Sequence, residues 1–92
     1  MVTEICAIVR DRFGKDSLDW KRRDMRSWMA KKIALKLIYD NTGYSYRAIG
    51  RMLGTSHVNV RHHLELFESD MVFISGLSEE YYKLRFKLNQ KV

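Results

Sequence analysis

Apolar residues recur along this chain at the three-to-four-residue spacing of helices that bury one face. Ile5, Ile8 or Val9, and Phe13 take that spacing between residues 3 and 13, and Gly14 closes the segment as a C-terminal cap. A polar stretch that turns basic, Lys15 to Arg23, separates it from a longer helix. Asp24 is placed to cap that helix, which carries Met25, Met29, Ile33 and Leu37 one turn apart and runs to about Asn41. Asn41, Thr42 and Gly43 break the pattern, Ser45 can cap again, and Tyr46 to Leu53 form a short helix with Ile49 and Leu53 on one face. Gly54, Thr55 and Ser56 make a tight turn before a fourth helix, His57 to Phe67, with Val60, Leu64 and Phe67 inward. After Gly76, Ser78 caps a last helix bearing Tyr81 or Tyr82, Leu84 and Leu88. The pattern predicts an all-α fold, a compact bundle of about five helices in one domain spanning residues 1–92.

Composition narrows the classes open to such a bundle. Ninety-two residues suffice for one modest core, but not for a catalytic domain joined to a separate binding domain. Apolar residues make up 46% and charged residues 30%, a globular balance, and no apolar run approaches the roughly 18 residues of a membrane helix. Glu4, Arg10 and Asp11 interrupt the N-terminal apolar residues and no small-residue cleavage site follows, so a secretory signal is not expected and a cytoplasmic protein is. The single cysteine, Cys6, has no internal disulfide partner and reads as a buried side chain.

The charge is informative through its placement. Net charge is +6, and the stretch from Lys21 to Arg61 holds ten basic residues against two acids, Asp24 and Asp40. A segment so depleted of acids sustains a positive potential suited to a polyanion, whereas a merely solvated surface mixes both signs. Nucleic acid is the expected partner, ahead of an anionic membrane surface or an acidic protein.

Two short helices joined by a three-residue turn make the helix-turn-helix geometry, and its internal demands are met here. Gly50 allows close crossing, Gly54 tolerates a positive φ in the turn, and Ile49, Leu53 and Val60 supply apolar anchors. His63 stands where a third anchor often sits, with Leu64 as the substitute.

Residues 21 to 60 resemble the C-terminal DNA-binding domain of the bacterial replication initiator DnaA, a helical domain of the Trp-repressor-like helix-turn-helix class. Lys21-Arg22-Arg23 resembles its basic loop, Ala30 to Leu37 its long-helix signature, and Tyr44 to Gly54 its Ser-Leu-x-x-Ile-Gly-x-x-Phe-Gly stretch. The first and last helices fit more loosely. The family carries Arg-Asp-His-Thr-Thr-Val into its recognition helix, whereas Ser56-His57-Val58-Asn59-Val60 is one residue shorter and keeps the His and the final Val. The resemblance implies duplex DNA as partner, with Arg22 and Arg23 in a minor groove, and the ATPase domain of DnaA has no counterpart in this chain.

Helical geometry assigns the remaining roles. With Val60, Leu64 and Phe67 inward, Val58, Arg61, His62 and Glu65 turn outward, and Ser56 and His57 occupy the N-terminal end. These would face the major groove, Arg61 toward guanine O6 and N7, Asn59 toward adenine or a phosphate, Val58 toward a thymine methyl. Lys21, Arg26, Lys31, Arg47 and Arg51 would contact phosphates and set register, against the alternative of a solvated basic face. No enzyme activity, cofactor or metal is expected: no nucleophile is paired with a base in a recognisable motif, and the spacing of His57, His62, His63 and Cys6 does not build a zinc site. Trp20, Tyr44 and Tyr46 offer stacking to a single strand, though aromatics beside helices more often belong to core or rim. Two other functional readings stand: a generic repressor-like or sigma-factor-like helix-turn-helix without the basic loop, and a protein-interaction module docking through Met71, Val72, Phe73 and Ile74.

Overall fold

A computed structural model describes residues 1–91 as six helices: α1 (Val2–Phe13), α2 (Met25–Asn41), α3 (Tyr46–Leu53), α4 (His57–Glu65), α5 (Phe67–Phe73) and α6 (Leu77–Lys91). No strand occurs among the described residues. The starts of α2 and α3 follow the expected chemistry, and Ser56, read from the sequence as part of the turn, caps α4 in the same way. Asp24 accepts from the Ser27 N–H at 3.1 Å, Ser45 from Ala48 at 3.1 Å, and Ser56 from Asn59 at 3.1 Å, each side chain satisfying one amide that the first turn leaves open. The Ser27 N–H first, and the Arg22 guanidinium second, hold the pKa of the Asp24 carboxyl down at about 2.

The core runs along α2. This helix packs on α1, α3, α4 and α6, so from Ala30 to Ile38 nearly every position is covered, not one stripe. Ile33, Ala34, Leu35, Leu37 and Ile38 meet Ile5, Ile8, Val9, Ile49, Val60, Leu77, Leu84 and Leu88 in one cluster. Ile8 and Val9 both enter it, Cys6 is buried as expected, and Tyr81 is chosen over Tyr82. Met25, at the very start of α2 and ahead of the covered stretch, is 60% exposed, so the inward stripe begins later than the spacing predicts.

Three further differences from the sequence pattern have physical causes. The spacing predicts a fourth helix reaching Phe67, but α4 ends at Glu65 and Leu66 takes φ −91°, ψ −3°, after which α5 begins. That break lets Phe67 drop into the core against Tyr81 (ring centroids 5.0 Å) while Asp70 reaches the ammonium of Lys32. The final helix starts at Leu77, not after Ser78: fully buried Leu77 pins its first turn, and Gly76 at φ +86° makes the preceding bend. The bundle therefore has six helices among the described residues, where the pattern predicts about five.

Two lysines of α2 lie inside. Lys32 is 1% exposed; its ammonium pairs with Asp70 on α5, lies 3.4 Å from the His63 carbonyl on α4, and sits over the Trp28 ring at 4.9 Å. A buried charge so partnered ties three helices together, and losing a partner leaves the charge stranded in low dielectric.

Candidate nucleic-acid interface

The crossing of α3 and α4 is set by glycine. A Cβ on Gly50 would stand 2.7 Å from the Thr55 carbonyl oxygen and 3.2 Å from the Ser56 carbonyl carbon, both backbone atoms, so only glycine permits this approach without movement. The Gly50 carbonyl accepts from the Thr55 N–H at 2.8 Å, and Gly54 at φ +78° reverses the chain in the left-handed region. Ile49 and Val60 are fully buried beneath the turn, with Leu53 and Leu64 partly buried beside them.

That packing turns Ser56, His57, Val58, Arg61 and His62 to solvent at the N-terminal half and outer face of α4. Asn59 is half-buried and donates from Nδ2 to Thr55 Oγ1 at 3.0 Å, so its amide braces the turn and is less available to a ligand than expected. Arg61 is loosely paired with Glu65, one turn on, at 3.7 Å with both side chains exposed, an attraction that water and salt largely cancel. On α3, Arg47 and Arg51 are exposed one turn apart and make no ion pair among the described residues.

Leu64 packs against the core, and His63 beside it anchors α4 to the tryptophans. Its ring lies 5.8 Å from that of Trp20 and 6.5 Å from that of Trp28, and Nδ1 is buried without a hydrogen-bond partner. Burial, followed by the nearby Lys32 charge, pushes the imidazole pKa down to about 4, so at neutral pH it is an uncharged aromatic anchor.

The Trp20 contact fixes where the basic loop goes. Trp20 rests on α4 through His63, so Lys21, Arg22 and Arg23 follow directly from a residue packed against that helix, and all three are exposed. Lys31 holds the loop from below. Its ammonium donates to the Arg22 carbonyl at 2.6 Å and lies 5.3 Å from the Trp20 ring centre. The side chain is buried and its pKa is lowered, chiefly by desolvation, so Lys31, expected at a phosphate, is placed here beneath the loop as its support.

Arg26, exposed, has a structural task as well. Its guanidinium donates to the carbonyls of Phe13 at 2.9 Å and Arg12 at 3.0 Å, closing open acceptors at the C-terminal end of α1. Arg22 pairs with Asp24 at 3.1 Å and Asp16 at 3.8 Å, leaving Lys21 and Arg23 as the unpaired cations of the loop among the described residues. The positive surface is thus narrower than the run of basic residues implies: Lys31 and Lys32 are inside and Lys36 pairs with Asp40 at 3.2 Å, while Arg26 stays exposed with its guanidinium held by the end of α1.

Sequence reasoning missed Trp20 and Lys31 as positioning residues, and it left the third anchor between His63 and Leu64. One signal was present: Lys31 and Lys32 fall inside the run from Ala30 to Leu35, which is apolar apart from them. Of the three aromatics with a stacking alternative, Tyr46 is half-buried with its ring 5.4 Å from Tyr39, Trp20 is half-buried against α4, and Tyr44 is exposed. No helix among the described residues is long and apolar enough to cross a membrane. No protein-family model matches this chain, and no curated protein matches it in sequence.

Proposed function

We propose that this protein belongs to the class of helix-turn-helix duplex-DNA readers, placing the N-terminal half of α4 in a major groove. The observation that carries the proposal is the outer face of the α3–α4 pair. Ser56, His57, Val58, Arg61 and His62 are exposed together, no acid precedes Glu65 on that helix, and unpaired Arg47 and Arg51 flank it on α3. A groove-lining helix needs hydrogen-bond donors and a small apolar group toward base edges, with cations toward phosphates, and this face offers that set. Arg61 exchanges its weak pair with Glu65 for guanine O6 and N7, and Val58 meets a thymine methyl.

Within that class, the reading favoured is a domain similar to the DNA-binding domain of DnaA, acting without catalysis as a replication or transcription regulator. Its support is the position of Lys21, Arg22 and Arg23 beside α4, held by the Trp20–His63 contact and by Lys31. A loop held there reaches the minor groove next to the major groove that α4 occupies, where Arg23 is the unpaired arginine.

Selection of bound duplexes from a random pool, followed by fluorescence anisotropy on the winning sequence, tests the class. Equal affinity for selected and random duplexes would overturn it. The loop is tested by replacing Arg22 and Arg23 with alanine on two duplexes that share the selected core and differ in flanking base pairs. An arginine in a narrow minor groove loses more on an A·T flank than on a G·C flank. Equal losses would leave the generic helix-turn-helix reading in place of the DnaA-like one.

A further inference from the structure

Two pairs of exposed apolar side chains take no part in the core or in the outer face of α4. On α5, Val72 and Phe73 are 77% and 80% exposed, although Met71 and Ile74 on either side of them pack against the core. On α6, Tyr82 and Phe86 stand one turn apart, opposite the buried stripe of Leu77, Tyr81, Leu84 and Leu88, and Phe86 is 65% exposed. Single apolar residues on a surface need no explanation, but adjacent large ones on a short helix mark a surface that something covers.

The surroundings of the two pairs carry opposite net charge. One turn before Val72 lies Glu68, with Glu65 a turn further back, both exposed. Tyr82 and Phe86 are flanked on α6 by Lys83 and Arg85, with one acid, Glu79, a turn before Tyr82, and all three are exposed. Glu68 and Arg85 make no ion pair among the described residues, and Lys83 approaches Glu80 only to 3.9 Å. An occupant of the α5 patch needs apolar groups with a cationic edge, and an occupant of the α6 face needs apolar groups with an anionic edge. A basic segment of another protein would cover the first and leave the second bare. A second copy of this chain supplies both.

We propose that this chain self-associates, with Val72 and Phe73 on α5 of one copy docking against Tyr82 and Phe86 on α6 of a second copy, and Glu68 facing Arg85 across the contact. The apolar area on each side is small, which places the contact among weak associations, below about 1,200 Å² in total. It therefore forms at high local concentration, such as that of copies bound side by side.

Sedimentation velocity from about 10 μM to about 1 mM protein reads the association directly. The parent is expected to sediment faster as concentration rises, while Phe73→Glu and Phe86→Glu each stay monomeric. Both positions are exposed, so circular dichroism should show unchanged helix content. An equimolar mixture of the two variants should associate again, because each retains the patch that the other has lost. Glu68→Arg and Arg85→Glu should each weaken association, and the chain carrying both changes should recover it. A parent that stays monomeric throughout, a mixture that stays monomeric, or a double charge exchange without recovery would each overturn the proposal.

Discussion

Replacing Gly50 with alanine tests the crossing of α3 and α4 with a single methyl group. The added Cβ would lie 2.7 Å from the Thr55 carbonyl oxygen, and reaching the 3.4 Å of ordinary contact requires an opening of 0.7 Å. The neighbours at 3.2 and 3.3 Å are backbone atoms of Ser56 and His57, so no rotamer can relieve the clash; the turn itself must shift. Overpacking of this kind costs about 1–3 kcal/mol, and three backbone neighbours at once place it in the upper half of that range. Alanine returns about 0.8–1 kcal/mol through its better helix propensity. The net expectation is a loss of about 1–2 kcal/mol, which in a domain this size lowers Tm by about 5–15 °C. Gly43→Ala is the internal control: nothing lies within 4 Å of where its Cβ would stand and its φ is not positive, so it should be neutral or gain up to about 1 kcal/mol from reduced freedom in the unfolded chain. Thermal denaturation followed by circular dichroism measures both. A Gly50→Ala protein melting with the parent would refute the close approach as the constraint on this pair of helices.

Other expectations follow from the same geometry. The folded pKa of His63 is about 4, below the usual histidine value near 6.5, so its contribution to stability is full above about pH 6.5 and declines as pH falls toward 4. The whole shift would correspond to about 3 kcal/mol, which partial exposure of the ring reduces to about 1–2 kcal/mol; urea titrations of the parent and of His63→Phe across this range should converge in slope if that is wrong. Asp70→Asn strands the buried Lys32 ammonium and should cost about 3 kcal/mol by chemical denaturation, whereas an exposed pair would cost under about 1. With Lys21, Arg23, Arg47 and Arg51 left to meet phosphates, log affinity for duplex DNA against log salt should have a slope of about −3 to −4, and a slope near about −9 would mean that the buried lysines, Lys36 and Arg26 also engage. Arg61→Ala should change the order of preference among duplexes by about 1–3 kcal/mol at one base position, while Arg51→Ala should weaken all duplexes alike. Equal effects of the two would remove Arg61 from base reading.

Local chemistry made much of this molecule readable from its residues in order. Helix starts at Asp24, Ser45 and Ser56, the positive-φ turn at Gly54, and the inward set Ile49, Val60 and Phe67 depend on groups within a few positions of one another. Periodicity and capping act over that range, so the all-helical bundle and the short helical pair were legible before any packing was known. What packing decided lies between residues distant in sequence. Whether a lysine of α2 meets solvent or carbonyls depends on what covers it: Trp20 and the Arg22 carbonyl for Lys31, Asp70 for Lys32. The sequence displays ten positive charges between Lys21 and Arg61, but which of them remain free is set by α2 being enclosed by four other helices and by Arg26 closing the end of α1. Likewise the run Met71 to Ile74 reads as uniformly apolar, and only the break at Leu66 determines that Met71 and Ile74 turn inward while Val72 and Phe73 stay in water. A side chain's type follows from the sequence, whereas its exposure and its partner follow from where the rest of the chain returns.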